Sequence, residues 1–581
     1  MRPSGAVKTP IPAWFSCALI AMSSAPLIAL AGEISFRVQD KTLHTLSPRL
    51  FGQFLERASF GESGPESVVD PLNGNLPSNA VEKLMAMRIP VVRFPGGTDV
   101  DHIDWTDMID NVPGRNGARP ITKVGANTIS NRFGYDEYFR LRDKLGCETV
   151  IVLNLLDVVS KRVPLDAAAL RAAGLVAYCN AQVGAKLPDG MPDWPSVRAR
   201  NGHPKPFHAE YFQIGNEWRF FPRPPGVREK TGLSDKDALA NWYIEVLHAL
   251  IRAIRVVDPD VKLIVDGRMG SGIESIVLKD PDIRDAVKYV AFHIYAPGPA
   301  DTVRTEGKLS DPASLTVSDW WYACASMPGE LSRGVNVGLG KQIDFARGLG
   351  YQAVCTEWNW NGWGFGKAPP QFVSELLPAA QGLGAAGFLH GLMRQGDAVV
   401  LATQSMLLGH SWGITAVRVD PSGRVPPYYL PQGLATLFYS VHHGDRLLAV
   451  ESDPLAGQLQ PHVIGRWTQF PASTPTVAYV DLLVTADDTR VFVHAINRRM
   501  DDAQDIAVDL TALKTGITRA THFRYLARTA AERETEATPQ ECRIVREDVE
   551  IKSGVLRTQL RPHSVSIVEI ARGRPGSAPR E

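Results

Sequence analysis

Two glutamates stand out by residue type and by setting. In Tyr211-Phe-Gln-Ile-Gly-Asn-Glu217 a short apolar run ends in a carboxylate and is followed at once by Trp218, Arg219 and Phe220. In Val354-Cys-Thr-Glu357-Trp-Asn-Trp360 the form recurs: apolar run, glutamate, aromatics. A lone glutamate of this kind reads most simply as one half of a structural ion pair at a strand end. Two of them, each offered by a strand end, are the minimum equipment for cleaving a glycosidic bond, which takes a pair of carboxyl groups flanking the scissile bond.

The stretches between and around them predict a frame. Leu50–Glu56 is another apolar run closed by a carboxylate, and Ser78 can cap a helix whose Val81, Leu84, Met85 and Met87 share one face. Pro90–Gly97 follows as a strand carrying Arg93, a residue that a buried strand tolerates only with a polar partner. Tyr135–Leu145 is an amphipathic helix ended by Gly146, and it leads into the strand Thr149–Asn154. After the strand with Glu217, a helical stripe over Asn241–Val256 precedes strands at Val261–Asp266, Tyr289–Tyr295 and Val354–Glu357, with an eighth at Gly387–Met393. Eight short apolar strands separated by helical patterns describe an α/β chain whose parallel sheet closes into a (β/α)8 barrel. Glu56, Arg93, Asn154, Glu217, His293 and Glu357 all fall at or near C-terminal strand ends, where such a barrel would bring them to one pocket.

Past Pro426 the pattern changes to period-two strands with turns, as in 477–484, 490–497 and 562–570, which predicts an all-β domain of the jelly-roll sandwich kind. The expected organisation is a signal peptide at 1–31, an N-terminal strand segment at 32–48 joining the β-domain, the barrel at 49–425, the β-sandwich at 426–571 and a disordered tail at 572–581. Arg2 and Lys8 before an apolar stretch, with Ala29-Leu30-Ala31 for cleavage, point to export and so to a secreted or periplasmic protein. No later segment is expected to span a bilayer. The 62 basic residues cancel the 62 acidic ones, which argues against nucleic acid or an anionic membrane as the main partner. Of six cysteines, five follow the signal, scattered with no disulfide framework and no metal-ligand spacing. Neither a metal nor a cofactor is expected, and His442-His443 lacks partners at ligand spacing.

An ordered series of motifs resembles the α-L-arabinofuranosidases of glycoside hydrolase family 51, in clan A. It runs through Phe51-Gly-Gln-Phe-Leu-Glu56, Val92-Arg-Phe-Pro-Gly-Gly97 with Asp104-Trp105, Tyr178-Cys-Asn180, Asn201-Gly-His-Pro-Lys-Pro-Phe207, Gly215-Asn-Glu217, His293-Ile-Tyr295, Glu357-Trp-Asn359 and Gln404. The resemblance implies Glu217 as acid/base and Glu357 as nucleophile, with Glu56, Arg93, Asn216, His293, Tyr295 and Gln404 around the sugar. It also implies a carbohydrate partner, an arabinose-containing glycan, and raises the prospect of a homo-oligomer. The residues alone select the two carboxylates without assigning their roles. Arg93 is expected to keep neighbouring carboxylates ionised, Tyr295 to hold the nucleophile and Asn216 to bond the 2-hydroxyl of the sugar.

Departures from the family pattern bear on specificity. Thr98 stands where an Asn commonly follows Pro-Gly-Gly, Asn361 stands where an aromatic is expected, and Trp218–Pro225 is unlike the family's segment after Gly-Asn-Glu. That segment reads equally as a wall for the leaving group or as a stiff loop packed on the barrel rim. The expected activity is release of terminal α-L-arabinofuranosyl residues with retention of configuration. Another retaining clan-A glycosidase (a β-xylosidase, an endoglucanase or a hydrolase of another furanose) and a carbohydrate-binding protein without catalysis stay open as alternatives.

Overall fold

The computed structural model describes residues 32–572 apart from 58–61, 125, 219–230, 234, 268–271, 300–302, 306–307, 332–338, 364, 454–461, 465–477, 514–518 and 527–542. The expected signal peptide and most of the expected tail lie outside these residues.

A first strand, β1 (Ile34–Thr45), precedes eight short parallel strands: β2 (Gly52–Phe54), β3 (Val91–Phe94), β4 (Glu148–Leu153), β5 (Tyr211–Ile214), β6 (Lys262–Asp266), β7 (Tyr289–Pro299), β8 (Gln352–Trp363) and β9 (Val399–Ser405). These eight close on themselves, each beside its neighbour in sequence and β9 beside β2. This is the (β/α)8 barrel that the sequence predicts. Its floor is a plug of inward side chains, Val91, Val150, Tyr211, Ile264, Ala291, Val354 and Leu401, one from each of seven strands. Alternation then fixes what lies a layer above: two residues on from Val91, Tyr211 and Ala291 come Arg93, Gln213 and His293.

The helices form as their patterns require. Among them α1 (Ser78–Ala86) buries Ala80 and Leu84, α2 (Tyr135–Leu145) ends on Gly146 at φ 66°, and α3 (Lys236–Val257) buries a stripe from Leu239 to Ile254 behind an Asp235 cap.

The eighth strand is not where the sequence places it. Gly387–Met393 lies inside a helix, α4 (Leu377–Gln395), and the closing strand is β9. The helix is buried on nearly every side from Ala379 to Met393, so no amphipathic period marks it as a helix. Its glycines serve close approach: a side chain at Gly384 would strike Trp360, and one at Gly382 would strike Tyr525. The stretch Phe372–Ala398 is also long and apolar enough by composition to cross a membrane, contrary to expectation, but most of it is buried within the protein.

Eight further strands, β10 (Arg446–Ser452), β11 (Val480–Ala486), β12 (Arg490–Asn497), β13 (Gln504–Asp509), β14 (Arg519–Leu526), β15 (Arg543–Lys552), β16 (Val555–Leu560) and β17 (Ser564–Ala571), build the C-terminal sandwich. β1 completes that sheet, antiparallel to β10 and parallel to β13. Asp481 on β11 ties the sandwich to the barrel. It pairs with Arg394 of α4, and Arg498 and His390 stand 3.5 Å and 3.3 Å from its Oδ2. Burial alone would push the Asp481 carboxyl up, yet Arg394, His390 and Arg498 hold it well below the usual carboxylate range.

Asp481→Asn is therefore expected to cost roughly 3 kcal/mol, the low end for a broken buried pair because Arg394 keeps some solvent access. A carboxyl depressed below its unfolded value near ~3.9 contributes its stability above that pH and loses it as pH falls. Denaturant midpoints should differ between wild type and variant at neutral pH and converge in acid.

Candidate active site

Arg93 rises from β3 into the lumen and is fully buried. Its guanidinium lies over the Phe54 ring at 4.6 Å and donates three ways: Nε to Gln213 Oε1 at 3.1 Å, Nη1 to Glu357 Oε1 at 2.8 Å and Nη2 to Asn216 Oδ1 at 2.7 Å. A buried cation needs such partners, and these come from β5, the loop after it and β8. Gln213 is in turn held by its own donor bond to Gly215 O at 3.0 Å.

Glu217 is delivered by a sharp turn. Gly215 sits at φ 82° and Glu217 itself at φ 46°, left-handed values that glycine adopts freely and glutamate does not. A strained backbone at a carboxylate facing a pocket is the pattern of a functional position. Asn180 anchors the start of the same strand by bonding both the N–H and the C=O of Ala209.

Glu357 is aimed by a different device. Between Cys355 and Glu357 the β8 ladder skips one residue against β7, so that Cys355 pairs with Phe292 and Glu357 with His293. Thr356 is the extra residue of this bulge, which turns the following side chain into the lumen. The Glu357 carboxylate then takes Arg93 on Oε1 and the Tyr295 hydroxyl on Oε2, the latter at 2.7 Å. Burial first, and then Glu357 itself, push the Tyr295 phenol well above its ordinary value, so it serves as a neutral donor.

His293 joins the two glutamates. Its Nδ1 is 2.8 Å from Glu217 Oε1 and 3.6 Å from Glu357 Oε1. One atom from each of Glu217, His293 and Glu357 lies within 4.8 Å of the others. These three, and likewise His248, Asp280 and Asp282, are close enough to be considered as metal ligands. Both sets are already engaged: Arg93 and Tyr295 occupy Glu357, while Asp280 Oδ1 accepts from Ile283 N and meets His248 Nε2 at 2.8 Å. His442 and His443 are held apart from either set, by Glu569 and by Gly444 O.

Glu56 stands on the far side of the Pro95-Gly96-Gly97 turn, accepting from Gly97 N at 3.3 Å. A side chain at Gly97 would come within 2.7 Å of Glu357 Oε1, and one at Gly96 within 2.9 Å of Glu56 Cγ, so only glycines let the turn pass between the two acids. Arg93 does not keep Glu56 ionised, as the sequence suggests. Burial, followed by the nearby charges of Glu357 and Asp99, pushes its carboxyl up to about 8, and the Gly97 N–H and Arg93 offset this only in part.

Of the residues singled out in the sequence, Glu56, Arg93, Asn216, Glu217, His293, Tyr295 and Glu357 come together. Gln404 does not. It pairs with Gln53, which pairs with Val92, and this row faces the helices rather than the lumen. Its amide is used up there, accepting from Thr436 at 2.6 Å and from Gln53 at 3.2 Å and donating to Gln432 O at 3.2 Å. The inward residue is its neighbour Ser405, 2.5 Å from the Tyr295 hydroxyl. Asn154 also stays apart, bonded to Asp157 beside a separate small cavity lined by Trp105 and Leu175.

Gln213, Thr356 and Ser405 are the site residues that sequence reasoning misses. Strict two-residue alternation from Tyr211 would have placed Gln213 inside, and a correct eighth strand would have done so for Ser405. Trp218 is core rather than wall, buried and edge-on to Tyr243 at 4.8 Å. The rest of the 218–225 segment and the side chain of Asn361 lie outside the described residues. Thr98 is exposed at the start of a short 3-10 turn.

Residues 83–306 match the family profile described as the alpha-L-arabinofuranosidase 1 domain. A relative from Streptomyces lividans, named an intracellular exo-alpha-(1->5)-L-arabinofuranosidase, is 28% identical over 44% of this chain and 35% of its own length. A Bacillus subtilis relative named an intracellular exo-alpha-(1->5)-L-arabinofuranosidase 1 is 23% identical over 42% of this chain and 45% of its own. The chain thus spans less than half the length of these curated relatives. The solved alpha-L-arabinofuranosidase of Thermotoga maritima aligns over 93% of this chain and all of its own at a TM-score of 0.66 and 21% identity, a likeness of fold. Both curated relatives are named intracellular. This corrects the expectation of a secreted or periplasmic protein.

The raised Glu56 carboxyl has a measurable signature. A group that binds its proton more tightly when folded contributes stability that is full below its unfolded value and is lost as pH rises through about 8. Glu56→Gln keeps the shape without the proton, so its stability relative to wild type should improve between pH ~5 and ~9 as wild type alone loses this contribution. Parallel denaturation of the two proteins across that range reads it.

Proposed function

We infer that this chain is one of the α-L-arabinofuranosidases of glycoside hydrolase family 51, a retaining exo-glycosidase that releases terminal α-L-arabinofuranosyl residues from arabinose-containing glycans. The observation that carries the mechanism is the spacing of the two acids, with Glu217 and Glu357 oxygens inside 4.8 Å of each other. Retaining enzymes keep their carboxyl groups ~5 to 5.5 Å apart, whereas inverting ones leave ~6.5 Å or more for a water.

Glu357 is the nucleophile. Arg93 and Tyr295 donate to its two oxygens and leave it no route to act as an acid. Its oxygen attacks the anomeric carbon while the glycosidic oxygen leaves with the proton of Glu217. The same Glu217 then takes a proton from water, which attacks the anomeric carbon and frees Glu357. Glu217, part-exposed and met by His293 rather than by Arg93, suits this exchange. Asn216 spends its Oδ1 on Arg93, which turns Nδ2 to the sugar's 2-hydroxyl. Glu56, its carboxyl pushed up to about 8, donates to a sugar hydroxyl from across the glycine turn. Arg93 donates from all three of its nitrogens within the protein and acts through Glu357 and Asn216. The α-(1->5) linkage named for the relatives is the first to test.

Glu357→Gln should abolish turnover of an aryl α-L-arabinofuranoside by several orders of magnitude with the fold intact. Glu217→Gln should lose about 10²–10⁴-fold, most of it on substrates with poor leaving groups. Assay beside aryl β-D-xyloside and galactofuranoside tests the sugar: no release from the arabinofuranoside would contradict the assignment.

A further inference from the structure

The bulge that aims Glu357 places a second group in the site. The Thr356 hydroxyl, fully buried, lies 2.9 Å from His293 Nε2, on the ring edge opposite the one that meets Glu217 and Glu357. Glu217 Oε1 can accept a hydrogen bond whether the carboxyl is ionised or carries its proton on the other oxygen, so an imidazole nitrogen facing Glu217 Oε1 and Glu357 Oε1 is satisfied when it carries the proton. A neutral ring with its proton on Nδ1 presents a lone pair at Nε2, and that buried lone pair needs a donor. Thr356 Oγ is the hydroxyl that stands there.

We propose that Thr356 is a positioning residue for the acid/base: its hydroxyl donates to His293 Nε2 and fixes the ring as the Nδ1–H tautomer, so that His293 only donates to Glu217. The inference rests on the reading of Glu217 as the acid/base. In the other tautomer a lone pair on Nδ1 would face Glu217 and take up the proton of its carboxylic acid as a hydrogen bond, in competition with the departing glycosidic oxygen. The nucleophilic side would be spared, because Arg93 and Tyr295 hold Glu357 without help from His293.

The test compares wild type, Thr356→Val and Thr356→Ser on aryl and alkyl α-L-arabinofuranosides, together with nitrogen NMR of histidine-labelled wild type, the His293 signals being identified with His293→Gln. The valine variant should lose about 10-fold or more on the alkyl substrate beyond its loss on the aryl one. Serine should restore the wild-type ratio, and the wild-type spectrum should show a protonated Nδ1 and a bare Nε2. An equal loss on both substrates, or no loss, would overturn the proposal, as would a proton on Nε2. Should the valine variant not fold, the wild-type tautomer decides. Should wild type hydrolyse no arabinofuranoside, the functional reading fails, and the nitrogen spectrum still answers for Thr356 and His293.

Discussion

A guanidinium sealed inside the barrel governs the arrangement around it. Arg93 has no access to water and must be satisfied by the protein, and its three acceptors are what the site is made of: Gln213, Asn216 and Glu357. Removing one partner of such a set leaves the other charge buried and unpaired, which costs several kcal/mol. The requirement therefore locks β3, β5 and β8 into one register at their C-terminal ends. It also gives the two acids different neighbours, since Glu357 meets the cation directly and Glu217 meets the His293 imidazole.

Close to Arg93, conformational exceptions concentrate. Glu217 holds a left-handed backbone, Thr356 bulges from its strand, and the Gly96-Gly97 turn threads between Glu56 and Glu357 where no side chain would fit. Each departs from the regular barrel at one residue and re-aims the next polar group. The regular parts supply rigidity: a plug of seven inward side chains beneath, and the sandwich braced on α4 through Asp481 behind.

Most of the frame was legible in the sequence because strands buried on both faces read as apolar runs and the helices between them carry one apolar stripe. Glu217 and Glu357 were legible because each breaks such a run with a charge. The eighth strand was misplaced because α4 is buried all round and shows no period, and with it went Gln404, whose amide faces the helices while Ser405 faces the lumen. Thr356 was hidden for another reason: a bulge shifts side-chain parity by one residue, and nothing in Val354–Glu357 announces it. Glu56 was placed correctly and charged wrongly, since burial outweighs a nearby arginine, a balance that residue types alone do not reveal.

Everything assigned to the two carboxylates turns on their separation, which allows a covalent intermediate and leaves no room for a water between nucleophile and sugar. Proton NMR of the first product formed from an aryl α-L-arabinofuranoside, recorded before the sugar mutarotates, reads this directly. Initial appearance of α-L-arabinofuranose is the predicted result, and initial appearance of the β-anomer would contradict it.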